Sequence, residues 1–149
     1  MTLLAQVFWG GGLLLACALV HVAAVAVSIP MFRRFADILH NKRVRLRVAV
    51  MLSLGVIVTL LAHTLQVWAW AVTIHMLSSF DDFATSFYFA LATYTTVGYG
   101  DVIVDEGLRI FAAFASVAGL LTFGISTAFL IGLIGRLLPD TFRDNRPKR

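Results

Sequence analysis

Long stretches without a charged residue constrain the fold of this chain more than any other feature. Three such runs cover residues 3–29, 48–80 and 110–135. About 20 consecutive apolar residues cross a bilayer as an α-helix, so each run can span a membrane once. Only 13% of the residues are charged, whereas soluble domains have about 25%, and this excludes a water-soluble enzyme. The sequence predicts an all-α membrane protein with three transmembrane helices.

A fourth charge-free run, residues 83–100, differs from the others in its second half. It ends in Thr95-Thr96-Val97-Gly98-Tyr99-Gly100, a poor helix-forming sequence because β-branched residues and glycines dominate it. A segment of this kind can enter the membrane and turn back where protein surrounds it. We therefore predict a re-entrant helix at 81–94 and an irregular loop at 95–101. Ser79 is the predicted N-cap, and two aspartates suit the first turn.

The basic residues define the topology of the chain. Of 12 Lys and Arg residues, all but Arg109 lie between the first two spans or after the last one. The positive-inside rule makes that side the cytoplasm, which places the N-terminus outside and the C-terminus inside. We expect a multi-pass protein of an inner or plasma membrane. The net charge of +4 then reflects topology, and no nucleic-acid partner is predicted.

Residues 30–47 are predicted to form a basic amphipathic segment at the cytoplasmic membrane surface. Such segments bind anionic lipid through basic side chains. The residues expected to do so are Arg33, Arg34, Lys42 and Arg43. The alternative is an ordinary cytoplasmic loop that obeys the positive-inside rule. Residues 139–149 are predicted to be a short basic tail, too short for a folded domain.

The hexapeptide Thr96-Val97-Gly98-Tyr99-Gly100-Asp101 carries the most specific functional signal. Its first five residues are the TVGYG filter sequence of potassium channels. Over residues 48–135 the chain resembles the two-transmembrane bacterial potassium channels, and the stretch 117–124 resembles their inner helix. The first span, 3–29, lies outside the resemblance. The resemblance implies a pore domain at 48–138 with an outer helix (48–78), a pore helix (81–94), a selectivity filter (95–101) and an inner helix (107–138).

The filter would hold dehydrated K⁺ with oxygen atoms that replace its water shell. Backbone carbonyls can do this when right- and left-handed dihedrals alternate, which Gly98 and Gly100 tolerate at little cost. Val97 and Tyr99 are expected to turn outward and pack behind the loop. One loop cannot encircle an ion, so a homotetramer is implied. No cofactor is predicted besides K⁺ itself, coordinated by Thr96, Val97, Gly98, Tyr99 and Gly100.

The resemblance also implies which residues support the filter. Asp101 is similar to the family aspartate that braces the loop from behind, and we expect Tyr88 to hydrogen-bond it. Thr95 is the third predicted support. Ala92 stands where certain relatives have a glutamate, and Tyr88 and Phe89 replace paired tryptophans. Fewer polar contacts are therefore expected behind the filter.

Further residues are assigned along the conduction path. Gly119 is the predicted hinge of the inner helix, while for Gly124 close helix packing is the alternative. Asp105 and Glu106 would concentrate cations at the outer mouth, unless they are simply solvated. The residues implied for the central cavity and the inner gate are Leu120, Phe123, Thr127, Ile131 and Gly135.

Three histidines lie within the predicted spans: His21, His63 and His75. An unsatisfied imidazole in lipid is costly, so each is expected to hydrogen-bond a neighbouring helix. The function predicted for the chain is passive potassium conduction without covalent chemistry, and no enzyme is expected. Alternatives are a poorly selective cation channel and a pore-like accessory or sensor subunit. An ion-coupled transporter is disfavoured because the complete filter sequence occurs once.

Overall fold

A computed structural model of the chain describes residues 1–39, 43–78 and 80–137. These residues form α1 (Leu3–Ile38), α2 (Val44–Leu77), α3 (Phe83–Tyr94), a short 3₁₀ helix (Glu106–Leu108) and α4 (Arg109–Leu137). Three helical segments are long and apolar enough to cross a membrane: α1, α2 and the continuous stretch Glu106–Leu137. No strand occurs within the described ranges. The predicted all-α membrane fold is confirmed.

The first helix is longer than the sequence pattern indicates. α1 does not end near Ile29 but continues to Ile38, with Pro30 inside it. A proline removes one backbone hydrogen bond, and the charged, aromatic and alanine residues that follow can still adopt helix. Residues 30–47 are therefore not one separate surface segment, because most of them extend α1 or begin α2. Lys42 lies outside the described residues.

The re-entrant helix begins one turn later than its predicted N-cap. Asp82, rather than Ser79, caps α3: its carboxylate accepts hydrogen bonds from the Thr85 backbone N–H at 2.8 Å and the Thr85 hydroxyl at 2.7 Å. Because both bonds favour the ionised carboxylate, the hydroxyl bond most, the pKa of Asp82 is lowered. Ser79 and residues 138–149, which include the predicted tail, lie outside the described residues.

α3 lies between α2 and α4, and α1 packs along α4 and α2. The core between these helices contains the fully buried side chains of Trp70, Tyr94 and Phe111. α1 is fixed to the start of α4 because the Gln6 side chain accepts hydrogen bonds from the backbone N–H groups of Ile110 and Phe111, at 3.1 and 3.3 Å. These N–H groups have no partner within their own helix. α1 is thus an integral part of the bundle.

Candidate functional site

The loop at 95–101 has an alternating backbone. Thr96, Gly98 and Gly100 have φ angles of 61°, 51° and 80°, so every second residue is left-handed. Glycine adopts this conformation at little cost, but for Thr96 it costs about 1–2 kcal/mol. Sequence reasoning identified the two glycines and missed Thr96. Successive carbonyl groups can point to the same side of a loop only if right- and left-handed residues alternate, and this loop has that alternation.

The start of the loop is fastened to the end of α3. The backbone N–H groups of Val97 and Gly98 both donate to the carbonyl oxygen of Ala92, at 2.9 and 3.1 Å, and Thr96 N–H donates to Thr93 O at 3.0 Å. The Thr95 hydroxyl donates to Leu91 O at 2.8 Å. Backbone strain at Thr96 is therefore offset by hydrogen bonds on both of its sides. The same bonds give hydrogen-bond donors to carbonyl groups at the end of α3, which have no partner within the helix.

The far end of the loop is held by a side-chain hydrogen bond. The Tyr88 hydroxyl donates to Asp101 Oδ2 at 2.8 Å, so the contact expected between these two residues is present. Tyr88, Phe89 and loop residues line a cavity of about 180 Å³ behind the loop. The loop is thus tied to α3 at both ends, with open space between the two attachments.

The loop side chains do not pack behind the loop within one chain. Tyr99 is 75% exposed and Val97 is 51% exposed. The packing expected for these two residues behind the loop is not provided by α3 of the same chain, which does not cover them. Both side chains therefore lie on the open surface of the single chain.

Gly119 is a position of close packing. A Cβ atom there would overlap the Tyr94 carbonyl oxygen and lie 2.9 Å from the carbonyl carbon. α4 therefore approaches the end of α3 more closely than any side chain permits, which explains this glycine without a hinge. At Gly124 a Cβ would meet nothing within 4 Å. Within the chain, the structure thus gives a packing role to Gly119 and none to Gly124.

A closed ring of hydrogen bonds lies at the end of α3 and includes Tyr94, the residue directly before the loop. Gln66 Nε2 bonds to His21 Nδ1 (2.9 Å), His21 Nε2 to Ser126 Oγ (2.9 Å), and Ser126 Oγ to His63 Nε2 (3.0 Å). His63 Nδ1 then bonds to the Tyr94 hydroxyl (2.8 Å), which donates to Gln66 Oε1 (3.1 Å). Followed in this order, every group donates once and accepts once when both histidines are neutral. We call these five residues the polar ring.

The polar ring joins α1, α2, α3 and α4. His75 also bonds across helices, to Ser86 Oγ at 3.1 Å, so the expectation that each histidine would hydrogen-bond a neighbouring helix is confirmed. The ring itself was missed by sequence reasoning. The spacing of polar residues could have indicated it. His63 and Gln66 share one face of α2, and Ser126 lies four residues after Thr122 on α4. Thr122 is buried and bonds to the Tyr94 hydroxyl at 2.8 Å.

The residues assigned to the cavity and gate form one stripe on α4. Leu120 and Ile131 are 70% and 64% exposed, and Thr127 and Gly135 are also exposed. Phe123 is partly covered because its ring stacks on His63 with a centroid separation of 4.3 Å. Apart from Phe123, these residues lie on a face of α4 that the described part of the chain leaves exposed.

The two acidic residues assigned to the outer mouth differ in their surroundings. Glu106 forms an exposed ion pair with Arg109, with the closest nitrogen and oxygen 3.8 Å apart. Sequence reasoning treated Arg109 as isolated and missed this pair. Asp105 is exposed and precedes the 3₁₀ helix. Because Arg109 offsets part of the negative charge, the acidic character of this end is weaker than the two acids alone indicate.

Comparison with known proteins gives one match. The sequence model of a family described as "Ion channel" matches residues 60–136, slightly more than half of the chain. The matched region contains the second half of α2, all of α3, the loop and nearly all of α4. No curated protein and no solved structure matches.

Proposed function

The chain belongs to the ion channel family, and from this premise we propose that it is a potassium-selective channel whose pore is formed by four copies. The observation that carries the proposal is the loop 95–101. Its TVGYG sequence coincides with left-handed residues at Thr96, Gly98 and Gly100. Carbonyl oxygens from such a loop replace the hydration shell of K⁺ when several copies surround an axis. Conduction is passive and involves no covalent step.

In the proposed pore, the carbonyl groups of residues 96–100 and the Thr96 hydroxyl coordinate the ions. The Tyr88–Asp101 hydrogen bond and the bonds of Val97 and Gly98 to Ala92 set the distance between each loop and its own α3. Neighbouring copies cover Tyr99 and Val97, which one chain leaves exposed. Homotetramer formation therefore both closes the ion site and buries the loop side chains.

The proposed topology places the loop end of the bundle outside the cell. A Cβ at Gly107, near the start of α4, would lie 2.9 Å from the Met1 nitrogen, so the N-terminus is at the same end as the 3₁₀ helix. Arg33, Arg47 and Arg136 line one groove, so the C-terminal ends of α1 and α4 and the N-terminal end of α2 meet at one end of the bundle. The positive-inside rule makes this basic end cytoplasmic.

A poorly selective cation channel is the second candidate. The cavity of about 180 Å³ behind the loop favours it if neighbouring copies leave that space open, because a loop without close packing behind it adapts its diameter to ions of different size. The two candidates differ in one measurable quantity, the ratio of K⁺ to Na⁺ flux.

Purified protein in liposomes tests the proposal. We expect K⁺ flux well above Na⁺ flux and block by Ba²⁺. Gly98→Ala should lower the flux strongly, since alanine at a φ of 51° adds about 1–2 kcal/mol of strain to a loop in which Thr96 is already strained. The matched control is Gly11→Ala, whose Cβ would meet nothing within 4 Å. Equal K⁺ and Na⁺ flux would select the second candidate, and absence of flux from wild-type tetramers would refute both.

A further inference from the structure

Three arginines from three different helices meet in one groove. Arg33 of α1, Arg47 of α2 and Arg136 of α4 line a groove of about 400 Å³ between the ends of these helices. The other lining residues are mostly apolar and include Phe32, Met51, Phe129 and Leu133. We call this site the arginine groove. Its combination of guanidinium groups and an apolar wall is unusual for a surface that faces only lipid tails.

The guanidinium groups of the arginine groove lack anionic partners in the part of the chain that the structure describes. The ion pair found there joins Arg109 and Glu106, at the opposite end of α4. The Nε atom of Arg47 is buried and has no hydrogen-bond partner among the described residues. A buried, unsatisfied donor on a charged group is costly. An acceptor with negative charge would satisfy the Arg47 Nε–H group, which the described residues leave without a partner, and would balance the charge of the three arginines.

The apolar wall identifies the class of the ligand. A free phosphate ion would satisfy the three arginines but would leave the apolar surface of Phe129 and Leu133 unused. An anionic phospholipid uses both, because its phosphate accepts hydrogen bonds from guanidinium groups while its acyl chain covers apolar side chains. The groove lies at the ends of membrane-spanning helices, where phospholipid headgroups are located. We propose that the arginine groove binds one anionic phospholipid.

This assignment replaces most of the lipid contacts predicted from sequence. Arg33 lines the groove, whereas Arg34 and Arg43 do not. Arg47 and Arg136, which the sequence analysis did not select, provide the other two guanidinium groups. The three arginines are brought together because α1 continues past Pro30 and α2 begins as early as Val44.

The site has a consequence for gating that rests on the proposed function. The groove contains Gly132 and Leu133 of α4, next to Ile131 and Gly135, which the resemblance to potassium channels places among the residues of the cavity and inner gate. A lipid bound to α1, α2 and α4 together stabilises one arrangement of their ends. K⁺ flux should therefore depend on the fraction of anionic lipid in the vesicles.

Native mass spectrometry of the purified full-length protein tests lipid binding without measuring flux. The probe is dioleoyl-phosphatidylglycerol, offered together with an equal amount of dioleoyl-phosphatidylcholine. We expect Arg47→Gln to bind phosphatidylglycerol about tenfold more weakly than wild type, the size of one lost charged hydrogen bond. Arg33→Gln and Arg136→Gln should show losses in the same direction, and the phosphatidylcholine signal should stay unchanged.

The matched controls are Arg34→Gln and Arg45→Gln, which remove the same charge from exposed positions outside the groove. They should bind phosphatidylglycerol as wild type does. Equal losses in groove and control variants would overturn the proposal in favour of diffuse surface attraction, and no loss in any variant would overturn it outright. Displacement of the lipid by millimolar inorganic phosphate would also contradict it, because the apolar wall would then contribute nothing. Thermal unfolding of each variant confirms that it is folded.

The outcomes separate this inference from the proposed function. Groove-dependent lipid binding by a protein that conducts no ions would refute the proposed function and leave the lipid site intact. Selective K⁺ flux from a protein whose lipid binding ignores the groove variants would refute the lipid site alone.

Discussion

Substitution of Gly119 by alanine distinguishes helix packing from hinging. Alanine is the better helix former, so a hinge role alone predicts a stabler protein with altered gating. The structure predicts the opposite. A Cβ at position 119 overlaps the Tyr94 carbonyl oxygen and would lie 3.3 Å from Cδ1 of its ring. α4 must then move away from the end of α3.

The size of the effect follows from two opposing contributions. The gain in helix propensity is about 1 kcal/mol, while overpacking costs about 1–3 kcal/mol. The upper value applies because the obstacle is a backbone carbonyl and cannot rotate away as a flexible side chain can. Gly119→Ala should therefore lower the free energy of unfolding by about 2 kcal/mol. Loop order should fall as well, since Tyr94 directly precedes residues 95–101.

Thermal unfolding of purified protein in detergent, followed by tryptophan fluorescence, measures this change because Trp70 is fully buried in the core. The control is Gly124→Ala, which places the same methyl group on the same helix where nothing lies within 4 Å in the chain. We expect Gly119→Ala to melt several degrees lower and Gly124→Ala to melt no lower than wild type. A Gly119→Ala protein as stable as wild type, with changed flux, would refute the packing argument and support a hinge.

Three further predictions concern single side chains. Tyr94→Phe should lower the free energy of unfolding by about 1–3 kcal/mol, because His63 and Gln66 each lose a hydrogen-bond partner in a buried site. The control is Tyr88→Phe, which removes the same hydroxyl group from an exposed position and should leave the melting temperature nearly unchanged. The same Tyr88→Phe protein should lose K⁺ flux or selectivity in the liposome assay, since the hydrogen bond to Asp101 is gone, and unchanged flux would remove Tyr88 from the filter supports. Asp82→Ala should melt lower than wild type at neutral pH. Because the folded-state pKa of Asp82 is below the ordinary 3.8, the carboxylate stabilises the fold above that value; the difference should shrink as pH falls through the lowered pKa, and a constant difference would contradict the assigned cap.

The fold class was predictable because it depends on local sequence features that do not require knowledge of how helices pack. Charge-free runs locate the helices, and glycines at positions 98 and 100 identify the loop. Features that depend on two helices meeting were not predictable. Thr96 is left-handed because bonds on both sides hold it, and Arg47 is a groove residue because α1 ends close to α2. The continuation of α1 past Pro30 was missed because a proline is an ambiguous stop signal.

The polar ring explains why α1 is part of the helix bundle although the family match begins at residue 60. His21 is the α1 member of the ring and is fully buried; it accepts from Gln66 and donates to Ser126. Without it, both of these groups would face lipid or core with one hydrogen bond missing, which is costly in a membrane. Ring closure requires neutral histidines, because a second proton on either imidazole would add a donor that has no acceptor within the ring. α1 therefore contributes His21 to a closed ring that also contains Tyr94, the residue directly before the loop 95–101. Through this ring the helix outside the family match is linked to the base of the proposed ion site.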